Sequence, residues 1–153
     1  MTQILREVYK TGGTSTSNNE DYERIAALLR GKTQTAIAVS APVGDEKVTD
    51  LLIDQAKGND RCYDVIGIFS RINPLGIRFD DQRFIYDLVH ARDDDELLTL
   101  GELHQAQHLV KYLNKVGINA KLADPTQILK MRNGRITETS TDSIHGADVY
   151  VMP

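Results

Sequence analysis

Val8-Tyr9-Lys10-Thr11-Gly12-Gly13-Thr14-Ser15 sets two adjacent glycines between a lysine and two hydroxyl side chains, at the end of a run of β-forming residues. Residues 3–10, with Ile4, Leu5, Val8 and Tyr9, read as a strand, and the paired glycines turn it into a loop that no regular element would tolerate. Ser17 stands three residues before Glu20, the spacing of a capping box, and Tyr22, Ile25, Ala26, Leu28 and Leu29 recur at helical spacing. These predict a helix over 19–29. Gly31 ends it, and Thr35-Ala36-Ile37-Ala38-Val39-Ser40 is a nearly unbroken apolar run of strand length, as expected of a strand buried on both faces. Strand, glycine loop, helix, strand is the order of an α/β sandwich with a largely parallel sheet.

Outward from there the pattern is mostly helical. Val48, Leu51, Leu52 and Ile53 predict a helix over 46–57; Cys62, Val65, Ile66, Phe69 and Ile72 predict another, ended by Asn73-Pro74-Leu75-Gly76; Phe84, Ile85, Leu88 and Val89 fit a third. Asp93-Asp94-Asp95 puts negative charge where a helix N-terminus favours it, and Leu97 to Leu113 continue a long helix to about Val116, with Gly117 as its cap. Residues 118–122 and 147–152 read as strands. No internal repeat, low-complexity tract or linker interrupts the chain, and 153 residues suffice for one domain with a single core.

Composition narrows the function classes. A net charge of −4 and no basic run argue against a nucleic-acid binder, which needs clustered Lys and Arg to neutralise phosphates. One cysteine, Cys62, excludes an internal disulfide framework and a multi-cysteine metal site, and suits a reducing compartment. No stretch approaches the roughly 20 apolar residues of a membrane span, and the N-terminus lacks a signal-peptide core. The expectation is a cytoplasmic protein.

Three stretches carry candidate chemistry. Lys10, Gly12, Gly13, Thr14 and Ser15 form a plausible phosphate cradle: glycine amides approach an anion closely, a lysine offsets its charge, and the next helix adds a favourable dipole. It is not a Walker A loop, and on local chemistry a plain turn remains the alternative. Ser40 stands at a strand end and Thr49 at a helix start, where open α/β sheets hold ligands, although either could merely cap a turn or a helix. Gly101 inside the long helix costs roughly 1 kcal/mol relative to alanine, which points to close packing there and leaves Glu102 placed to meet a cation; a solvated acidic face is the alternative. His104 and His108 lie a helical turn apart, but no third ligand is evident, so no metal site is assigned and both are read as surface or packing residues. His90, His145 and Cys62 receive no role.

Taken in order, Lys10 to Ser15, Ser40-Ala41, Val48-Thr49-Asp50-Leu51-Leu52 and Asp95 to Glu102 resemble the motifs of aspartate kinases, members of the amino acid kinase superfamily. The resemblance extends through Lys115-Val116-Gly117-Ile118-Asn119-Ala120, and departs at Thr11, where the family usually has phenylalanine. It implies transfer of the γ-phosphoryl of ATP, with Mg2+, to the side-chain carboxylate of L-aspartate, the first step towards lysine, threonine and methionine. By resemblance Lys10 is catalytic and, with Gly12, Gly13, Thr14 and Ser15, holds the phosphoryl group, while Ser40, Thr49 and Glu102 bind aspartate, Glu102 through its amino group.

The family also carries a Gly-Phe-x-Gly turn, a Gly-Arg-Gly-Gly-Ser-Asp loop, a nucleotide-binding half and commonly ACT regulatory domains, none of which is found in residues 1–153. The expectation is therefore the N-terminal substrate-binding part of an amino acid kinase domain, an incomplete three-layer α/β/α sandwich, truncated or split and inactive alone, with no tightly bound cofactor. Its partners would be aspartate and either a second copy or a complementary half, with no nucleic acid or membrane. A glutamate or carbamate kinase would share the fold but usually lacks the Thr-Ser after the glycines and the Gly-Glu helix. The alternative from another class is a non-catalytic amino-acid-binding or structural partner module.

Overall fold

The computed structural model describes residues 5–132, 135–139 and 144–153. β1 (Glu7–Lys10) and β2 (Thr35–Ala38) pair in parallel, Val8 opposite Ala36 and Lys10 opposite Ala38. Between them lie a 3-10 turn, Gly13–Ser15, and helix α1 (Asn19–Leu29), the predicted span. Residues 3 and 4 of the predicted first strand lie outside the described residues.

The cap of α1 falls one residue later than the sequence spacing indicated. Asn18 Oδ1 accepts the Asp21 N–H at 3.0 Å, and Asp21 Oδ2 reaches back to the Ser17 N–H at 3.0 Å. Asparagine caps at least as well as serine. That frees the Ser17 hydroxyl, which donates to the Gly13 carbonyl and accepts the Val43 N–H at 2.9 Å, so it braces the glycine loop instead.

Helices α2 (Val48–Ala56), α3 (Cys62–Ser70), α4 (Asp81–His90) and α5 (Asp94–Lys115) follow, the last capped by Asp93, whose carboxylate accepts the Glu96 N–H at 2.8 Å. β3 (Ala120–Leu122), a one-turn helix α6 (Pro125–Ile128), an antiparallel pair β4 (Leu129–Arg132) and β5 (Arg135–Thr139), and β6 (Val149–Met152) complete the order. The main sheet is four-stranded in the order β1-β2-β6-β3, and every pairing is parallel. Sequence periodicity did not indicate α6 or the β4–β5 pair.

Alternation along the strands divides the burial. Ile37, Val39, Val149 and Val151 pack under α1 and α5 with Tyr22, Ile25, Leu29, Leu109 and Leu113. Ala36 and Tyr150 face the other way, against Ala123, Ile144, Ala147 and Ile128 of α6, a thinner third layer. A further apolar cluster joins α2, α3 and α4 to α5 through Leu52, Phe69, Phe79, Phe84 and Leu100, with the Phe69 and Phe79 rings stacked at 4.3 Å. Among the described residues no helix is long and apolar enough to cross a membrane.

His104 and His108 are both buried in this packing. His104 Nε2 meets Asp87 of α4 at 2.9 Å, its ring edge-on to Phe84. His108 Nε2 must donate to the Ile77 carbonyl at 3.1 Å, which leaves Nδ1 to accept the Tyr22 hydroxyl at 2.9 Å, so the neutral imidazole satisfies every contact. Burial holds both imidazoles below their ordinary value, more than Asp87 raises His104 or the Ile77 carbonyl raises His108. Below about pH 6.5 the unfolded chain therefore binds protons that the native chain refuses, and stability falls as pH falls. Denaturant unfolding should give a lower stability at pH 5.5 than at pH 7, and His108→Gln should flatten that slope; an unchanged slope in the variant would count against the assignment.

Candidate functional site

The carboxyl ends of parallel strands are where an open α/β sheet presents its loops to a ligand. Here β1 delivers Lys10 and the glycine loop to that edge, β2 delivers Ser40, and β6 and β3 deliver Pro153 and Ala123. Lys10 is exposed and has no ion-pair partner among the described residues.

The two glycines of the loop differ in what they do. A Cβ on Gly13 would lie 2.4 Å from the Ala41 carbonyl oxygen and 2.9 Å from Val43 Cγ2, so only glycine lets the loop close on the segment after β2. Gly12 has extended backbone (φ −81°, ψ 165°) and open space where its Cβ would stand. The amides of Gly12, Gly13 and Thr14 carry no hydrogen bond among the described residues, whereas Ser15 N–H bonds to the Gly12 carbonyl at 3.0 Å and Thr16 N–H to that of Gly13 at 3.3 Å. Unpaired amides beside an exposed lysine are what an anion needs.

Ser40 is tied to the loop from both ends of the residue. Its hydroxyl donates to the Thr11 carbonyl at 3.2 Å, and its carbonyl accepts the Thr16 hydroxyl at 3.4 Å. With its hydrogen occupied, Ser40 Oγ offers lone pairs outward; donating to a carboxylate would require the hydroxyl to rotate away from Thr11. Thr49 is the second residue of α2, half-buried, and the helix has no side-chain cap. Neither residue plays the capping role that was its alternative reading.

Gly101 answers its sequence question. A Cβ there would stand 2.8 Å from Ala41 Cβ and 3.0 Å from Val48 Cγ1, so α5 lies directly on the segment after β2 and the first residue of α2. That contact brings Glu102 to the same edge. Glu102 is half-buried and lines a cleft of about 370 Å³ with Thr99, Leu103, Leu122, Asp124 and Pro153. Thr11, Thr14 and Ser15 border a different cleft of about 260 Å³, against Asp21, Arg24 and Leu28 of α1. The glycine-loop hydroxyls and Glu102 thus share the sheet edge but not a cavity, and Ser40 and Thr49 line neither of these two clefts. Asp124, unmarked by any motif, joins Glu102 because β3 runs out beside β6.

Among the described residues no group of three or more His, Cys, Asp or Glu side chains is placed to hold a metal.

The sequence model of the amino acid kinase family matches residues 6–147. No curated protein sequence is matched. Among solved structures, a Clostridium acetobutylicum aspartate kinase is similar at a TM-score of 0.76 and 20% identity, covering 96% of this chain and 38% of its own. E. coli aspartokinase III in complex with aspartate and ADP is similar at 0.70 and 19%, covering 95% of this chain and 40% of its own. The same E. coli enzyme with lysine and aspartate gives 0.72 and 20%, covering 98% and 40%. At these identities the likeness is one of fold, and the chain spans about 40% of the length of those enzymes.

Proposed function

The chain belongs to the amino acid kinase family, and on that premise we propose that it forms the aspartate-binding part of an aspartate kinase. In the reaction an oxygen of the aspartate side-chain carboxylate attacks the γ-phosphorus of ATP, the bond to the β-phosphate oxygen breaks, and 4-phospho-L-aspartate and ADP result. Such a transfer depends on position and on neutralising charge more than on any covalent intermediate. Lys10 and the amides of Gly12 and Gly13 hold the transferring group, with Thr14 and Ser15 beside it. Ser40 and Thr49 hold the substrate carboxylates, and Glu102 takes the ammonium.

One observation carries this reading: Lys10, the unpaired loop amides, Ser40 and the Glu102 cleft all stand along the carboxyl edge of one parallel sheet. Calorimetry with L-aspartate tests it. The wild type should bind, and Glu102→Ala should weaken binding at least tenfold with no comparable loss of melting temperature, because Glu102 has no hydrogen-bond or ion-pair partner among the described residues whose loss would unfold α5. Aspartate affinity unchanged by that substitution would end the assignment of Glu102.

A second reading, an amino-acid-binding module without catalysis, is favoured by the separation of the loop hydroxyls and Glu102 into different clefts. Formation of 4-phospho-L-aspartate by the 153-residue protein with ATP would exclude it. Aspartate binding without turnover, restored to turnover by no added nucleotide, would favour it.

A further inference from the structure

Gln105 is fully buried on α5, and a buried primary amide is costly unless its groups are paired. Its Nε2 donates to the Thr16 carbonyl at 2.9 Å, across 89 residues of sequence, while its Oε1 has no partner among the described residues. A leucine or methionine would fill the same space without leaving an orphaned carbonyl. The feature that distinguishes glutamine there is the bond to Thr16.

Thr16 is the knot of the glycine loop. Its hydroxyl reaches both the Gly13 carbonyl at 3.2 Å and the Ser40 carbonyl at 3.4 Å. On the other side stands the Tyr22 phenol, which burial pushes far above its ordinary value and the Gln105 amide pulls back. Tyr22 in turn donates to His108. Gln105 follows Glu102 by three residues on one continuous helix, so whatever Gln105 grips is held at a fixed offset from Glu102.

Resting on the reading of the loop and Glu102 given above, we propose that Gln105 is a positioning residue, whose buried amide locks the glycine loop in register with the helix that presents Glu102. It touches no substrate. It acts through Thr16, fixing where the loop amides stand relative to the bound amino acid.

Amide hydrogen exchange on the full chain tests the tether apart from any binding. Gln105→Met should speed exchange of the Gly13 to Ser17 amides at least tenfold while the amides of α5 and β2 change less than threefold; uniform loosening, or an unchanged loop, would overturn the proposal. Should that variant not fold, the wild-type side-chain amide of Gln105 decides: it should exchange at least a hundredfold slower than a free glutamine amide, and exchange at the free rate would overturn it. Titration with inorganic phosphate then joins it to function. Shifts in the Gly12, Gly13 and Thr14 amides should be accompanied by a shift at the Gln105 side chain, and Gln105→Met should weaken phosphate binding at least fivefold while leaving aspartate affinity within twofold. Equal weakening of both would mark a merely structural residue and overturn the proposal; no phosphate binding by the wild type would refute the phosphate reading while the exchange result still judged the tether.

Discussion

Gly13→Ala is expected to destabilise the chain by about 3 kcal/mol, the upper part of the range for overpacking, and to displace the loop that presents Lys10. The new methyl would have to occupy a position 2.4 Å from the Ala41 carbonyl oxygen. That atom is backbone, so it cannot swing aside as a side chain would, and Ala41 is itself pinned between the loop and Gly101. Either the loop lifts away, breaking the Ser17 bonds to Gly13 and Val43, or β2 shifts at its end. Gly12→Ala is the control: its Cβ meets nothing within 4 Å and its backbone suits any residue, so its stability cost should stay under about 0.5 kcal/mol. Equilibrium unfolding of the two variants measures the contrast directly. Equal costs would mean that the loop does not close on Ala41.

The second large effect is expected at Gly101. In an exposed helix, glycine to alanine would gain up to about 1 kcal/mol. Here the added carbon would approach Ala41 Cβ to 2.8 Å and Val48 Cγ1 to 3.0 Å, and both residues are buried. Overpacking of this kind costs about 1–3 kcal/mol and outweighs the helical gain, so Gly101→Ala should destabilise by about 2 kcal/mol. Ala41→Gly removes the nearer carbon. Combined with Gly101→Ala it should recover at least half of the loss, a coupling that a double-mutant cycle reads out. Additive effects from the pair would show that α5 and the segment after β2 do not meet as described. Aspartate affinity should follow stability in this series, because the contact that is being forced apart is the one that sets Glu102 beside β2.

The reading from sequence and the structure agree where local chemistry is decisive. Proline and glycine punctuation and helical spacing gave α1 its residues and the long α5 its limits, because caps and periodic apolar faces are encoded within one turn. Gly101 was legible for the same reason: an interior glycine in a good helix implies a neighbour. What escaped depends on distant partners. Ser17 looked like a cap by spacing, yet Asn18 caps and Ser17 bonds to Val43, 26 residues away. Gln105 carries no motif; only its place among Gly101, His104 and His108 on the buried side of α5 marked it as a polar residue in an apolar position. The β4–β5 pair has no alternating pattern strong enough to separate it from loop. The separation of the loop hydroxyls from the Glu102 cleft is a matter of tertiary packing that no spacing encodes.

The order β1-β2-β6-β3 also fixes when the molecule can become itself. β2 and β3 do not pair with each other; β6 lies between them and pairs with both, so that Ala36 meets Tyr150 from 114 positions further along the sequence. Helices α1 and α5 can form early, but the apolar face they cover lacks Val149 and Val151 until the last described strand arrives. On a ribosome the glycine loop, Ser40 and Glu102 would all be synthesised well before the strand that unites their supports. Such non-local closure is slow and leaves apolar surface open in the interval. Until Met152 is made, the apolar face that β6 covers therefore stays open, and the edge that carries Lys10, Ser40 and Glu102 gains its common support only when β6 pairs.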